Sequence, residues 1–338
     1  MKTVNDVMSA IDILSDKHLL KSSPENYKRG FAAAALAVYP SDRIAKTLQD
    51  KFFIPNDAGY DQDTFLASAV ELSVQNHLKR IHTITNFAID KKVNPPKDVD
   101  CYYEVGCIRV SLEIKTPRED ALPNGALVLK AAGRVPNHRD EFSRFSDGIT
   151  QAHPEKEVIL GHNKDNTSKD FLTSAHNKFS KRSDADDCNI LLIGCGDYFN
   201  ISEWYMHFKQ NEGLFTNTSF WPVTDFELVD LVILSNLKYY HENARQYHDW
   251  TLTNVFLLPL LNPKRRNSSN IETLTAGLSV FEHHMSSFDK YKASCEGIPD
   301  HIMAAIKVNS YVGEHLTESE RKRFFPVSRK EQNESPTS

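Results

Sequence analysis

The residues of this 338-residue chain that are best suited to chemistry lie in a segment of strictly alternating polarity, Cys107 to Lys115. Its alternate positions are apolar, namely Ile108, Val110, Leu112 and Ile114. Successive side chains of a strand point to opposite faces, so this pattern predicts a strand with one buried face and one polar face. Glu113 and Lys115 then share the polar face, which places a carboxylate beside an ammonium group.

The preceding segment, Asp98 to Val105, alternates in the same way, and Gly106 can supply a turn between the two strands. Its apolar positions are Val99, Cys101, Tyr103 and Val105, and its polar positions are Asp98, Asp100, Tyr102 and Glu104. If the apolar faces of this hairpin coincide, the polar faces coincide as well. A tight turn at Val105-Gly106 predicts Asp98 opposite Glu113 and Asp100 diagonal to it.

Such a concentration of acids favours a metal site, because adjacent carboxylates repel each other unless a cation lies between them. Mg²⁺ typically binds one or two carboxylates together with water and phosphate oxygens. Lys115 could contact a phosphate or the attacking water. Metal ligands and a charge stabiliser are the groups that metal-assisted hydrolysis of a phosphodiester requires.

Helices and strands around the hairpin follow from hydrophobic periodicity. The predicted helices are Val4–Leu20, Tyr27–Val38, one ending near Phe52, Asp63–Ile81, Lys169–Arg182 and Glu203–Gln210. The predicted strands, besides the hairpin, are Thr83–Ile89, Asn189–Gly194 and Leu228–Leu234. The sequence thus divides into a helical N-terminal segment (1–60), a core (61–200) with a long, polar, loop-rich insertion (117–168), a mixed C-terminal region (201–325) and a flexible tail (326–338).

This order of elements, together with two short motifs, resembles the PD-(D/E)XK nuclease superfamily. The motifs are Pro96-Lys97-Asp98-Val99-Asp100 and Val110-Ser111-Leu112-Glu113-Ile114-Lys115. The resemblance covers the chain from Asp61 to Gly194. It implies an α/β (mixed α+β) fold with a restriction-endonuclease-like αβββαβ core, which here would carry the helical N-terminal segment and a mixed C-terminal extension.

The resemblance also implies roles for particular residues. Asp100 and Glu113 would bind Mg²⁺, with Mn²⁺ as an alternative, and Lys115 would assist the water and the phosphate. Glu71, on the first core helix, would be a further metal ligand. The auxiliary acids would be Asp98 and Glu104, and the nucleic-acid contacts would be Lys178, Lys181 and Arg182 on the second core helix. Since no acid directly follows the proline, the choice between Asp98 and Asp100 as ligand stays open.

The expected function is that of a Mg²⁺-dependent endonuclease acting on DNA, with RNA left open, in restriction or anti-phage defence. Either a homodimer or a partner protein would fit that role. One alternative is a nuclease-like fold that binds nucleic acid or protein without cutting it. Another is an S-adenosylmethionine-dependent methyltransferase, suggested by Gly194-Cys195-Gly196 after an apolar strand, although the third glycine of the usual motif is missing.

Composition places the chain among soluble globular proteins, with 40% hydrophobic and 25% charged residues. The net charge of −5 gives no general affinity for nucleic acid, so any such binding must be local. Five cysteines without a CxxC pair predict reduced thiols and a cytoplasmic location. No apolar run is long enough for a membrane span, and no signal peptide is visible at the N-terminus.

Overall fold

The computed structural model describes residues 1–118, 127–129, 138–154, 156–160, 164–179, 186–196, 198–209, 212–244, 250–253, 255–266 and 271–281. Within these ranges the fold is mixed α/β, with a six-stranded mixed sheet between two helical layers. None of the helices in these ranges combines the length and the apolar character needed to cross a bilayer. The predicted flexible tail, 326–338, lies outside the described residues.

Five helices precede the sheet: α1 (Val4–Asp12), α2 (Leu19–Ser22), α3 (Glu25–Val38), α4 (Ile44–Phe52) and α5 (Gln62–Lys79). The single helix predicted from Val4 to Leu20 is wrong. The chain leaves the helix after Asp12, and both the backbone N–H and the hydroxyl of Ser15 donate to Asp57 Oδ2, at 2.9 and 2.6 Å. These long-range bonds replace the helical ones and turn the chain away.

The main sheet has the strand order β1-β2-β3-β6-β7-β8. Its strands are β1 (Ile84–Asn94), β2 (Lys97–Val105), β3 (Ile108–Lys115), β6 (Asp187–Gly194), β7 (Leu231–Ser235) and β8 (Leu257–Leu261). The β1–β2, β2–β3 and β7–β8 pairs are antiparallel, and the β3–β6 and β6–β7 pairs are parallel. The C-terminal region therefore contributes β7 and β8 to the same sheet as the predicted core.

The insertion at 117–168 is more structured than its polar composition predicted. It contains β4 (Leu127–Leu129) and β5 (Val158–Leu160), which pair in parallel, and α6 (His138–Ala152) between them. The remaining helices are α7 (Asp165–Lys178), α8 (Tyr198–Lys209), α9 (Leu237–Glu242) and α10 (Ile271–Leu278), with a 3₁₀ turn at Val223–Asp225. Helices α7 and α8 each begin earlier than periodicity indicated, because their first turns are polar or aromatic rather than periodically apolar.

The two faces of the sheet bury separate cores. One layer, formed by α1, α3, α4, α5 and α10, covers Ile108, Val110, Leu112 and Ile114 of β3, which confirms the predicted apolar face of that strand. The second layer, formed by α7 and α8, covers the alternate side chains of β6, such as Leu191 and Ile193. The prediction that Val99 shares a face with Cys101 and Tyr103 is wrong. Val99 packs in the α7–α8 layer, so the alternation of β2 breaks at Asp100.

The hairpin register also differs from the prediction. Val105 pairs with Ile108, which leaves Gly106 and Cys107 as a two-residue turn, and Gly106 has φ +61°, a conformation that glycine adopts without strain. The ladder continues to Cys101 opposite Leu112. One residue further, this register places Asp100, and not Asp98, beside Glu113. The predicted register was displaced by two residues because the two-residue turn lies one residue further along the chain than assumed.

Candidate metal centre

Three neighbouring strands place carboxylates in one row across the sheet. In β1 and β2, Ile89 pairs with Cys101 and Lys91 pairs with Val99, so Asp90 lies opposite Asp100 between them. On the other side of β2, the β2–β3 register places Glu113 beside Asp100. Adjacent strands are about 4.8 Å apart, so three acids side by side produce strong mutual repulsion.

Helix α5 adds a fourth carboxylate to this row. Carboxylate oxygens of Glu71, Asp90 and Asp100 all lie within 4.8 Å of one another. In the part of the chain that the structure describes, no other group of His, Cys, Asp or Glu side chains has this arrangement. The spacing suits three ligands around one cation. We refer to Glu71, Asp90, Asp100 and the adjacent Glu113 as the acidic pocket.

Local backbone geometry orients Asp90 and Asp100. Asp90 has φ +51°, in the left-handed region that Asp tolerates better than most residues, and this turns its side chain out of the regular pleat. Asp100 Oδ2 accepts a 2.6 Å hydrogen bond from the backbone N–H of Ile114. The Asp100 carboxylate therefore replaces the backbone carbonyl that would accept from the Ile114 N–H in a regular ladder. This replacement explains why the alternation of β2 breaks at Asp100.

Glu113 is fully buried and lies between two lysines. Its Oε1 is 2.7 Å from Lys115 Nζ and also 2.7 Å from Lys178 Nζ, which α7 supplies at its last residue. These contacts are ion pairs and not well-aligned hydrogen bonds. Within the described residues, the second oxygen, Oε2, has no hydrogen-bond partner. A buried carboxylate oxygen without a donor is costly unless a cation or an ordered water satisfies it.

Lys51, near the end of α4, lies on the Glu71 side of the acidic pocket, whereas Lys115 and Lys178 contact Glu113. Its Nζ is 2.5 Å from Glu71 Oε1, and the same oxygen accepts a 2.8 Å hydrogen bond from Gln75 Nε2. The side chains of Lys51 and Glu71 are 31% and 17% exposed, so solvent screens this pair only in part. The pocket is thus bordered by ammonium groups on two sides.

The electrostatics reflect an excess of negative charge. Burial raises the pKa of Glu113, and the neighbouring Asp100 raises it further, while Lys115 and Lys178 act in the opposite direction. Burial alone would lower the pKa of Lys178, but Glu113 and Asp100 outweigh it and raise the pKa of this ammonium. The electrostatic field at both Glu113 and Lys178 therefore stabilises positive charge.

The pKa values of the groups near α4 are raised for the same reasons. Burial raises the pKa of Glu71, which Lys51 opposes and Asp100 reinforces. The pKa of Asp90 is also raised, first by partial desolvation, although its side chain lies at the exposed rim, and Lys51 again opposes the effect. The pKa of Lys51 is raised because its attraction to Glu71 outweighs desolvation. A divalent cation in the pocket would relieve this repulsion.

Most of the site residues predicted from the sequence come together. Glu71 and Asp100 are in the three-acid group, Glu113 and Lys115 adjoin it, and Lys178 contacts Glu113. Of the two candidate acids on β2, Asp100 is in the group. Asp98 is not, although its charge raises the pKa of both Asp90 and Lys178. The predicted contacts Lys181 and Arg182 lie outside the described residues.

Glu104, predicted as an auxiliary acid, lies elsewhere. It is four residues from Asp100 along β2, a separation of about 13 Å in a strand. Its carboxylate accepts hydrogen bonds from Tyr102 Oη at 2.7 Å and from Asn86 Nδ2 at 2.5 Å. Its pKa is lowered, first by the bond from Tyr102 and then by that from Asn86. Glu104 therefore organises the turn end of the hairpin and is not part of the acidic pocket.

Sequence reasoning missed Asp90 and Lys51. The predicted strand ended at Ile89, with the run of β-branched and aromatic residues, and the charged Asp90-Lys91-Lys92 that follows is of a type depleted in strands. A strand extended to Asn94 would have placed Asp90 near Asp100, but two register shifts in β1 carry no sequence signal. Lys51 is twenty residues from Glu71 and meets it only through the packing of α4 on α5, which no local pattern indicates.

The glycines at the C-terminal end of β6 have structural explanations. A Cβ at Gly194 would lie 2.8 Å from Val70 of α5, so close helix packing requires this glycine. Helix α8 begins at Tyr198, soon after Gly196 and five residues earlier than the predicted start at Glu203. The Gly196 N–H donates to Asn200 Oδ1 at 3.0 Å, and the Cys195 N–H to Ser235 O. Both N–H groups are thus engaged and do not offer a phosphate site.

In comparisons with known proteins, the chain matches no protein-family model, no curated protein and no solved structure.

Proposed function

We propose that this chain is a Mg²⁺-dependent phosphodiesterase that cuts nucleic acid, with DNA as the foremost substrate. One observation carries the proposal: carboxylates from α5, β1 and β2 converge within 4.8 Å of one another beside a strand that bears Glu113 and Lys115. Oxygen-only ligands favour Mg²⁺ or Mn²⁺ over softer metals. The unpartnered Oε2 of Glu113 and the raised pKa values of the acids indicate that the pocket fits a divalent cation.

The residues can divide the work of hydrolysis. Glu71, Asp90 and Asp100 would hold the ion, which when bound polarises a phosphoryl oxygen and makes water more acidic. Glu113 holds the ammonium groups of Lys115 and Lys178 against one oxygen. Both lysine side chains are about a quarter exposed, so their ammonium groups can bind the non-bridging oxygens of a phosphate that enters from solvent.

The order of elements supports a restriction-endonuclease-like core. Helix α5 is followed by the antiparallel strands β1, β2 and β3, then, after the insertion, by α7 and by β6, which is parallel to β3. This is the αβββαβ succession, with the acid of β2 and the Glu-x-Lys of β3 at adjacent positions. We further propose a role in restriction or anti-phage defence, with a homodimer or a partner protein where both strands are cut.

Cleavage of supercoiled plasmid DNA in Mg²⁺ tests the proposal. The wild-type chain should nick or linearise the plasmid, and Lys115→Ala and Glu113→Ala should each lower the rate by about 10²-fold or more. Lys46→Ala is a matched control, because this lysine of α4 is exposed to solvent. Full activity in both pocket variants would contradict the assignment.

The same preparation distinguishes a binding module from an enzyme. Retention of labelled DNA without turnover in Mg²⁺ or Mn²⁺ would favour a nuclease-like fold that binds without cutting. Parallel reactions with single-stranded RNA establish which nucleic acid is the substrate. Loss of retention in Lys178→Met, with retention unchanged in Lys46→Met, would place the binding surface at the end of α7.

A further inference from the structure

We propose that Lys51 occupies one cation position in the acidic pocket and thereby limits the pocket to a single divalent ion. The inference rests on the proposed metal site and adds a residue that belongs to α4, outside the αβββαβ succession. Lys51 would be a positioning residue that sets the number of ions bound, and not a group that touches the reacting phosphate.

The contacts of Lys51 place its charge where a cation is needed. Its Nζ lies 2.5 Å from Glu71 Oε1, and its charge acts on the pKa values of Glu71 and Asp90. In return, Asp90 and Asp100 raise the pKa of Lys51 together with Glu71. These three acids are the same three whose oxygens lie within 4.8 Å of one another. The ammonium group therefore neutralises part of the site that would otherwise attract a second ion.

The formal charges of the described residues support one ion. Eight charged side chains lie in and around the pocket: the acids Glu71, Asp90, Asp98, Asp100 and Glu113, and the lysines Lys51, Lys115 and Lys178. Five negative and three positive charges leave two negative charges, which one divalent ion neutralises. A second ion would leave the pocket with two positive charges. Without Lys51, three negative charges remain, and one ion no longer balances them.

The unpartnered Oε2 of Glu113 indicates that the three lysines do not provide partners for all the carboxylate oxygens of the pocket. Lys115 and Lys178 both approach Oε1, while the fully buried Oε2 has no hydrogen-bond partner among the described residues. One unsatisfied carboxylate oxygen remains next to Asp100 after Lys51 has paired with Glu71. This is the pattern expected of a pocket that lacks one cation and not two.

Mn²⁺ binding without nucleic acid tests the inference, with calorimetry and the electron paramagnetic resonance of free Mn²⁺ as readouts. The wild-type chain should bind one Mn²⁺. Lys51→Met, which keeps the length of the side chain and removes its charge, should bind two, with the first about tenfold tighter or more. Lys51→Gln is a second variant, and thermal unfolding checks that both fold. Lys46→Met, on the same helix, should behave as the wild type.

The outcomes separate this inference from the proposed function. One Mn²⁺ bound with equal affinity in the wild type, Lys51→Met and Lys51→Gln overturns the role of Lys51 and leaves the metal site intact. Two Mn²⁺ bound by the wild type also overturns it. A wild-type chain that binds no Mn²⁺ overturns the metal site and this inference together. One ion in the wild type and in Lys46→Met, and two in Lys51→Met, is the result that we expect.

Discussion

Asp230 is a buried carboxylate without a lysine partner among the described residues. It lies at the end of the sheet away from the acidic pocket. The effect of burial on the pKa of a carboxylate can therefore be tested on this one group. It precedes β7 and is 3% exposed, and its Oδ2 accepts a 2.8 Å hydrogen bond from the Asn189 N–H. Burial raises its pKa from the ordinary 3.8 to about 7, although the Asn189 bond and Arg265 oppose the shift.

The sign of the effect on stability follows from this shift. The folded pKa lies above the unfolded one, so the folded state binds the proton more tightly. Stability is therefore lost as the pH rises from about 4 to about 7. A shift of roughly 3 pKa units corresponds to about 4 kcal/mol. Asp230→Asn keeps an acceptor for the Asn189 N–H and removes the charge, so this variant should be more stable by about 2–4 kcal/mol at pH 8 and close to wild type at pH 4.

Urea denaturation at pH 4, 6 and 8 measures the effect. Asp16→Asn, at an exposed position in a turn, is the matched control and should change neither the stability nor its pH dependence. An Asp230→Asn variant that is less stable than the wild type at pH 8, or that keeps the same pH dependence, would contradict the raised pKa of Asp230. The burial of Glu71 and Glu113 would then no longer argue for a cation in the pocket.

Two further predictions concern the buried side chains of Glu113, which is paired with ammonium groups, and His241, whose imidazole is neutral. Lys178→Met should lower the free energy of unfolding by about 1–3 kcal/mol, because it leaves the buried Glu113 with one ammonium in place of two. The double variant Lys178→Met/Glu113→Gln should recover much of that loss, and equal losses in single and double variants would count against the ion pair. Burial lowers the pKa of His241 to about 3, and the ring contacts Tyr27 Oη and Ser73 Oγ. His241→Phe should cost about 1–3 kcal/mol at pH 7. That cost should shrink as the pH falls below 6.5, where the wild type loses stability, whereas a constant difference between pH 7 and pH 5 would contradict the neutral imidazole.

Much of the central sheet could be predicted because its local and global signals agree. Strict alternation gave the apolar face of β3, and the short run Asn189–Gly194 gave β6, since such patterns allow few other ways to bury their side chains. Glu113 and Lys115 of β3 therefore lie on the same face of the strand, two residues apart, as expected. A period of two residues fixes which side chains share a face, provided that the strand stays regular.

The features that could not be predicted depend mainly on interactions between distant parts of the chain. The hydrogen bonds from Ser15 to Asp57 end α1 early, and the hydrogen bond from the Ile114 N–H to the Asp100 carboxylate breaks the alternation of β2. Neither has a local pattern. Asp90 escaped prediction because its strand is charged and irregular there. The polar insertion was underestimated since α6 is amphipathic but has a low mean hydropathy.

We propose Glu71, Asp90 and Asp100 as the ligand set of one divalent ion, with Asp100 and not Asp98 as the acid of β2. Mn²⁺ affinity measured for the wild type, Asp100→Asn and Asp98→Asn distinguishes the two acids, since both variants remove one charge from the same strand. We expect one Mn²⁺ in the wild type, a loss of affinity of about 100-fold or more in Asp100→Asn, and a change of only a few-fold in Asp98→Asn. No binding by the wild type, or equal affinity in Asp100→Asn and the wild type, would contradict it.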